Sequence, residues 1–322
     1  MDRPTLQQLT YLVSLAEHGH FGKAAHACHV SQPGLSNQLR ELERRLGCTL
    51  VERSPRSVRL TDAGAAIAER ARRVLRDVDD MGDVASSAAA GLAGPLRLGV
   101  IPTIAPYVVP RLNPCVLDAH PAVELLLTEE RTVKLLARLR AGELDVAMMA
   151  LPVPGADLAH ATLANDPFLL AVGSDHPLAS VSEVTPSQLS ELAVLLLDEG
   201  HCLRDQALAV CSAAGTASTS VAATSLSTLV QMVAAGQGVT LLPAIAATVE
   251  AHRGSRVAIV PLTDAPQRTL ALVWRSSSPR SGLYRELAGL FAPLFQSCAG
   301  TRPEPAASPF TPPQDGARLQ RR

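Results

Sequence analysis

Apolar positions along the first sixty residues recur at helical spacing, broken by turn residues at short intervals. Leu6, Leu9, Val13 and Ala16 predict a helix over 5–17, with a turn at Gly19. A second short helix is expected over 21–28, where the small Ala24 and Ala25 admit a close neighbour. Ser31 reads as an N-cap with Pro33 in the first turn behind it. The third helix then buries Leu35, Leu39, Leu42 and Leu46 and is ended by Gly47. Strands are expected over 50–52 and 58–60, around a turn at Ser54-Pro55-Arg56. Two helices joined by a tight turn and followed by a hairpin make a winged helix-turn-helix. Thr61 is expected to cap a long fourth helix, along which Ile67, Ala71, Val74, Val78 and Met81 form a heptad seam. The charged flanks favour pairing of that seam with a second chain over a surface helix lying on its own domain. Residues 88–95 read as a hinge.

From Pro95 the period changes. Strands are expected at Leu96, Leu98 and Val100, at Val123, Leu125 and Leu127, over 144–149, and near 168–172, 194–197, 239–242 and 268–273. Helices fall between them, including 106–119 and a second over 132–141 that Gly142 stops. This alternation predicts an α/β unit with parallel sheets covered on both faces, built as one domain or as two lobes. The chain therefore divides into a DNA-binding domain over 1–61, a linker helix and hinge over 62–91, and an α/β effector domain over 92–300. A Pro-, Arg- and Gln-rich tail over 301–322 is expected to be disordered.

Composition adds little until it is localised. The 322 residues carry a net charge of −1, which points to no class of partner. Through Thr61, however, eight Lys and Arg stand against five Asp and Glu, an excess that attracts nucleic acid. Aromatics are only 3%, so the core is built from Leu, Val and Ala. No apolar run approaches the ~20 residues of a membrane span, and Glu17, His18 and His20 interrupt any signal-peptide core. A cytoplasmic location is expected. Its six cysteines would then sit in a reducing compartment, where a structural disulfide framework is rare.

Two groups of residues carry candidate chemistry. On the third helix, Gln32, Pro33, Ser36, Asn37 and Arg40, behind Ser31, suit base edges and phosphates. Arg53, Arg56 and Arg59 on the hairpin suit flanking phosphates or a minor groove. The plainer reading is a small helical domain with a solvated polar face. The second group is the run 198–207 with Cys211. Cys202 falls at or near the start of a helix over 203–214, with Arg204 and His201 close by, features that favour thiolate. Cys28, Cys48, Cys115 and Cys298 read as small buried hydrophobes. His26, Cys28 and His29 fall on a helix-turn-helix core element, and no metal is expected there. Nine residues separate Cys202 from Cys211, roughly 13.5 Å of rise along a continuous helix. A disulfide needs Cα atoms within about 7 Å, so joining the two requires the segment to unwind.

Several runs resemble the LysR-type regulators: 21–25 (Phe-Gly-Lys-Ala-Ala), 30–36 (Val-Ser-Gln-Pro-Gly-Leu-Ser), Leu42-Glu43 with Leu46-Gly47, 50–53 and Thr61-Asp62-Ala63-Gly64. His20 stands where that family usually caps its second helix with Ser. The resemblance implies a homodimer joined through the linker helix, often doubled to a homotetramer, and a two-lobed periplasmic-binding-protein-like sensor. The runs 98–103, 200–207, 223–226, 232–236 and 240–243, with Pro106-Tyr107 and Cys211, are similar to the peroxide-sensing members of the family, to about residue 300. By that resemblance Cys202 is the peroxidatic cysteine and Cys211 its resolving partner, while Thr103, Thr132, His201 and Arg204 line the peroxide site. Hydrogen peroxide is then the signal, antioxidant genes the targets, and double-stranded DNA and RNA polymerase the partners, with no cofactor. The stretch between Cys211 and Ala223 and the tail after 300 depart from the pattern. Three other readings compete: a family member gated by a metabolite, a thiol peroxidase, and a solute-binding protein, which the missing export signal opposes. No Gly-rich phosphate loop, nucleophile elbow or zinc-ligand spacing supports a conventional enzyme.

Overall fold

The computed structural model describes residues 3–53, 58–90, 92–213, 218–251, 255–264 and 266–295. The first unit is a helical triad with a hairpin. Helix α1 (Leu6–His18) opens on a capping box in which Thr5 and Gln8 exchange side-chain and backbone hydrogen bonds. Helix α2 (Phe21–Ala27) is capped by His20, whose Nδ1 accepts from the Gly22 N–H at 3.0 Å and the Lys23 N–H at 3.4 Å. An imidazole thus serves where a hydroxyl is usual. Helix α3 (Gln32–Leu46) starts at Ser31, whose Oγ accepts from the Gly34 N–H, and ends at Gly47 with φ +67°. Leu12, Leu15, Leu35, Leu39, Leu42 and Leu50 close the core between these helices. Strands β1 (Val51–Arg53) and β2 (Val58–Leu60) pair antiparallel as the wing.

Thr61 caps α4 (Asp62–Ala90), its Oγ1 accepting from the Gly64 N–H at 2.9 Å. Gly64 lies where a Cβ would overlap the Leu50 carbonyl. Gly64→Ala is expected to destabilise the DNA-binding unit by about 1–3 kcal/mol, the usual effect of overpacking. A lowered thermal midpoint of the full chain and weaker DNA binding would register it; an unchanged midpoint would show that the contact relaxes freely.

The heptad seam of α4 divides. Ala71 is buried and Ile67 packs against the helical triad, so this part lies on its own domain. Val74, Val78 and Met81 are 42%, 36% and 68% exposed. The helix continues through Ala90, further than the hinge expected over 88–95. Where it passes the effector domain, Arg76 Nη2 donates to the Arg140 carbonyl at 3.0 Å.

The effector domain begins with β3 (Gly94–Val100), followed by α5 (Ala105–Ala119), β4 (Val123–Glu129), α6 (Thr132–Ala141) and β5 (Val146–Ala150). Strand β3 lies between β4 and β5 and is parallel to both. Then comes β6 (Leu158–Gly173), a 16-residue strand, and after it β7 (Val194–Leu197), α7 (Cys202–Ala213), β8 (Ser218–Ala223) and α8 (Leu226–Ala234). The chain finishes with β9 (Thr240–Pro243), α9 (Ala244–Glu250), β10 (Val257–Pro261), β11 (Gln267–Arg275) and α10 (Ser281–Phe291).

The expectation of parallel sheets is only partly met. Strand β11 is antiparallel to β5 and to β6, and β6 is antiparallel to β9 and β10. Strand β11 returns from the second lobe and inserts between β5 and β6, running opposite to both, so β5 and β6 share one direction although residues 151–157 between them carry no helix. Two lobes result, and β6 runs through both. Its first part, to Pro167, pairs with β11 in the sheet that also holds β5, β3 and β4. Its second part, from Phe168, pairs with β9 and β10. The parallel pair β7 and β8 joins the second lobe through a bridge from Val194 to Val239. Residues 301–322, expected to be disordered, lie outside the described residues, as does Cys298.

Candidate functional site

In a sheet whose strands run parallel, the loops that follow the strands gather at one edge, and ligands bind there. Four chain segments meet at that edge of the first lobe. Thr103 follows β3, Thr132 follows β4, Leu151 follows β5, and Arg268 opens β11, which enters from the same side because it is antiparallel to β5. The second lobe contributes the turn between β7 and α7. Arg131 holds that turn against the edge, donating from Nη1 to the Glu199 carbonyl at 2.8 Å and from Nη2 to Asp198 Oδ2 at 2.9 Å. Gln206 adds a second tie, its Nε2 donating to the Leu151 carbonyl at 3.2 Å.

Cys202 is the first residue of α7, where backbone N–H groups have no helical partner and the helix dipole is positive. Cys211 lies on the same helix and is buried in the apolar core, where desolvation pushes its thiol pKa up. Both are free thiols. Because α7 is unbroken from Cys202 to Ala213, the roughly 13.5 Å of rise between the two holds in this structure.

The polar groups around the edge fall into two kinds. Thr103 is buried, and its Oγ1 accepts from Arg268 Nη1 at 2.9 Å. Thr132 Oγ1, Asp198 Oδ1, His201 Nε2 and Gln206 Oε1 are buried with no hydrogen-bond partner among the described residues. Asp198 Oδ1 and His201 Nε2 do lie 3.1 Å apart, out of the alignment a hydrogen bond needs. Buried polar atoms normally have partners, so such a group of them marks a place for a small polar ligand or water.

His201 is buried beside Asp198 and Arg131. Burial, and then the Arg131 charge, hold its pKa below the ordinary histidine value, and Asp198 only partly opposes this. Burial therefore favours its neutral form. Arg204 is turned back toward the preceding strand, its Nη1 donating to the Leu197 carbonyl at 2.7 Å. Two arginines that the sequence did not single out, Arg131 and Arg268, make the side-chain bonds at this edge instead. The signal for Arg268 was a lone charge at the start of the apolar run Leu270–Trp274; for Arg131 it was the position just before a helix.

On the DNA-binding unit, Ser31, Gln32, Pro33, Asn37 and Arg40 are exposed and Ser36 is half-buried, all on or just before the first turns of α3. Arg40 Nη1 donates to Asn37 Oδ1 at 2.7 Å. The Ser31 hydroxyl is engaged as the helix cap. Arg56 and the Arg53 side chain lie outside the described residues.

Comparison with known proteins gives a consistent result. Residues 6–65 match the bacterial regulatory helix-turn-helix protein, lysR family, and residues 89–296 match the LysR substrate binding domain. The chain is 45% identical over 284 residues to a hydrogen peroxide-inducible genes activator of Dickeya chrysanthemi, covering 88% of this chain and 93% of that one. It is 44% identical over 284 residues to the DNA-binding transcriptional dual regulator OxyR of Escherichia coli, with the same coverage. A solved full-length OxyR of Pseudomonas aeruginosa, with aspartate in place of a cysteine, superposes with a TM-score of 0.75 at 37% identity, covering 90% of this chain and 98% of that one.

Proposed function

The chain belongs to the LysR family of bacterial helix-turn-helix regulators, and from that premise we propose that it senses hydrogen peroxide through Cys202 and reports it to DNA by forming a Cys202–Cys211 disulfide. The observation that carries this reading is the placement of both thiols on one unbroken helix, one half-buried at its start and the other in the core. The relatives named as peroxide-inducible gene activators, and solved neighbours that include oxidised and reduced forms of OxyR, support it.

The chemistry runs in two balanced steps. The Cys202 thiolate attacks one peroxide oxygen, the O–O bond breaks, and the departing hydroxide takes a proton to leave as water. Thr103, its oxygen already accepting from the Arg268 cation, directs its own proton at the departing oxygen, and Thr132 Oγ1 binds the other. Cys202 is now a sulfenic acid. Cys211 then displaces water from it to give the disulfide. Two thiols and one peroxide thus yield one disulfide and two waters. Because Cys211 is buried nine residues along the helix, the second step requires α7 to unwind and the core to release its thiol. Thiol reductants restore the start state.

Unwinding α7 disturbs its ties through Arg131 and Gln206 to the first lobe. Helix α6 begins at that contact and ends where Arg76 of α4 docks on Arg140, so the disturbance reaches the linker helix. The DNA-binding heads then shift relative to successive half-sites. Ser31 positions α3, while Gln32, Pro33, Ser36, Asn37 and Arg40 meet the major groove, with Arg53 and Arg56 on adjacent backbone. The regulator works in the cytoplasm as a homodimer or homotetramer, with RNA polymerase, on antioxidant genes.

The test is direct. Reduced full-length protein is treated with micromolar-scale peroxide, its thiols are mapped by mass spectrometry, and the DNA upstream of its own gene is footprinted. A Cys202–Cys211 disulfide that appears together with an altered footprint is expected. A changed footprint with both thiols still free would refute the mechanism.

A further inference from the structure

We propose that Asp166 is a positioning residue for peroxide reduction at Cys202, acting through Arg268 and Thr103; the proposal rests on the peroxide-sensing reading above. Asp166 and Arg268 face each other across the β6–β11 pair, at the point where β6 leaves the first lobe for the second. Both side chains are sealed from solvent, at 4% and 0% exposure. Arg268 Nε and Nη2 each lie 2.9 Å from Asp166 Oδ2. On the other side of the guanidinium, Nη1 donates to Thr103 Oγ1 at 2.9 Å and Nη2 to the Thr103 carbonyl at 3.1 Å. Asp166 is itself clamped, since its Oδ1 accepts from the Ile245 N–H at 3.1 Å in the first turn of α9.

The consequence is chemical. A hydroxyl that accepts from a cation is left with its own proton to donate, and the rigid guanidinium plane fixes which way it can point. The carboxylate behind Arg268 decides where that plane lies. A buried ion pair of this kind is weak as a source of stability, because desolvation offsets the attraction. Its arrangement suits aim better than strength: one carboxylate oxygen is held by the second lobe, the other holds the arginine, and the arginine orients a hydroxyl of the peroxide cleft. Asp166→Asn keeps an oxygen for the Ile245 N–H but turns an amide donor toward the donors of Arg268, so the guanidinium must shift and Thr103 loses its orientation.

The experiment compares two rates at Cys202 of the full-length reduced protein, oxidation by hydrogen peroxide and alkylation by iodoacetamide, each read by mass spectrometry. Only the first has a departing oxygen for Thr103 to assist. D166N is expected to slow peroxide oxidation by about 10- to 100-fold, somewhat less than removal of a transition-state donor outright, and to leave alkylation within about twofold. Asp166→Glu should recover part of the loss. In an R268Q background D166N should add less than about twofold, since residues acting as one unit are not additive. If D166N alone fails to fold, Asp166→Glu, which keeps the buried charge paired, serves in its place and should slow peroxide oxidation but not alkylation. Equal slowing of both rates, no slowing at all, or a full further loss on top of R268Q would overturn the proposal. A wild-type chain whose Cys202 ignores peroxide would instead sink the sensing reading itself.

Discussion

Cys202→Ser is expected to abolish the peroxide response completely: no disulfide, no sulfenic acid at that position, and the same DNA footprint with and without peroxide. Serine keeps the size and the place at the start of α7. It lacks a nucleophile that peroxide can oxidise, because thiolate rather than hydroxyl carries this reaction. The loss in oxidation rate should reach at least about a hundredfold, an order of magnitude consistent with removing an activated nucleophile. Cys211→Ser separates the two steps. Its Cys202 should still reach the sulfenic acid, trappable by a carbon nucleophile such as dimedone, and then stop there. A footprint that still responds in Cys202→Ser would favour a family member gated by a metabolite. Sustained peroxide turnover with a thiol reductant, without any footprint change, would favour a thiol peroxidase.

This prediction could be framed from the sequence because the cysteine segment and its neighbours are local features. A strand, a Gly turn and a helix start are each set within a few residues, so the place of Cys202 at the head of α7 is visible in the order Val194–Leu197, Gly200, Cys202. The helices of the DNA-binding unit were legible for the same reason: their apolar stripes and caps lie within single turns. His20 shows the limit even there, since an imidazole acceptor replaces the hydroxyl that capping preferences favour.

Pairings between distant segments were not legible. The first part of β6, Leu158 to Pro167, lacks a clean alternation and contains Pro167, and only its partner β11, about a hundred residues later, makes it a strand. Arg268 illustrates the same point at the site. In sequence it is one charge beside an apolar run. Its meaning comes from Asp166 across the sheet and Thr103 from another loop. Arg204, by contrast, is adjacent to Cys202 in sequence, yet its guanidinium serves the Leu197 carbonyl. Proximity along the chain points only to Arg204, whereas tertiary packing brings Arg268 onto Thr103.

Replacing Val74 and Val78 together by Asp is expected to convert the protein to monomers and to weaken operator binding by about 10²- to 10⁴-fold, the avidity that linking two heads supplies. Both side chains are exposed on α4, at 42% and 36%, so the substitutions should leave each chain folded. Their apolar character makes sense if a second copy covers them, because Met81 extends the same stripe at 68% exposure and the rest of that face is strongly charged. Two like charges brought opposite their symmetry mates would repel across a seam that excludes water. Sedimentation velocity measures the state of assembly, and footprinting at matched protein concentration measures occupancy of the two half-sites. The seam is also where the signal must pass, since Arg76, between the two valines, is the residue that docks on Arg140 of the effector domain. A monomeric variant should therefore still form the Cys202–Cys211 disulfide with peroxide while losing its effect on DNA. If the double variant remains dimeric and binds its operator as the parent does, the two chains are joined elsewhere and α4 does not carry the redox signal between heads.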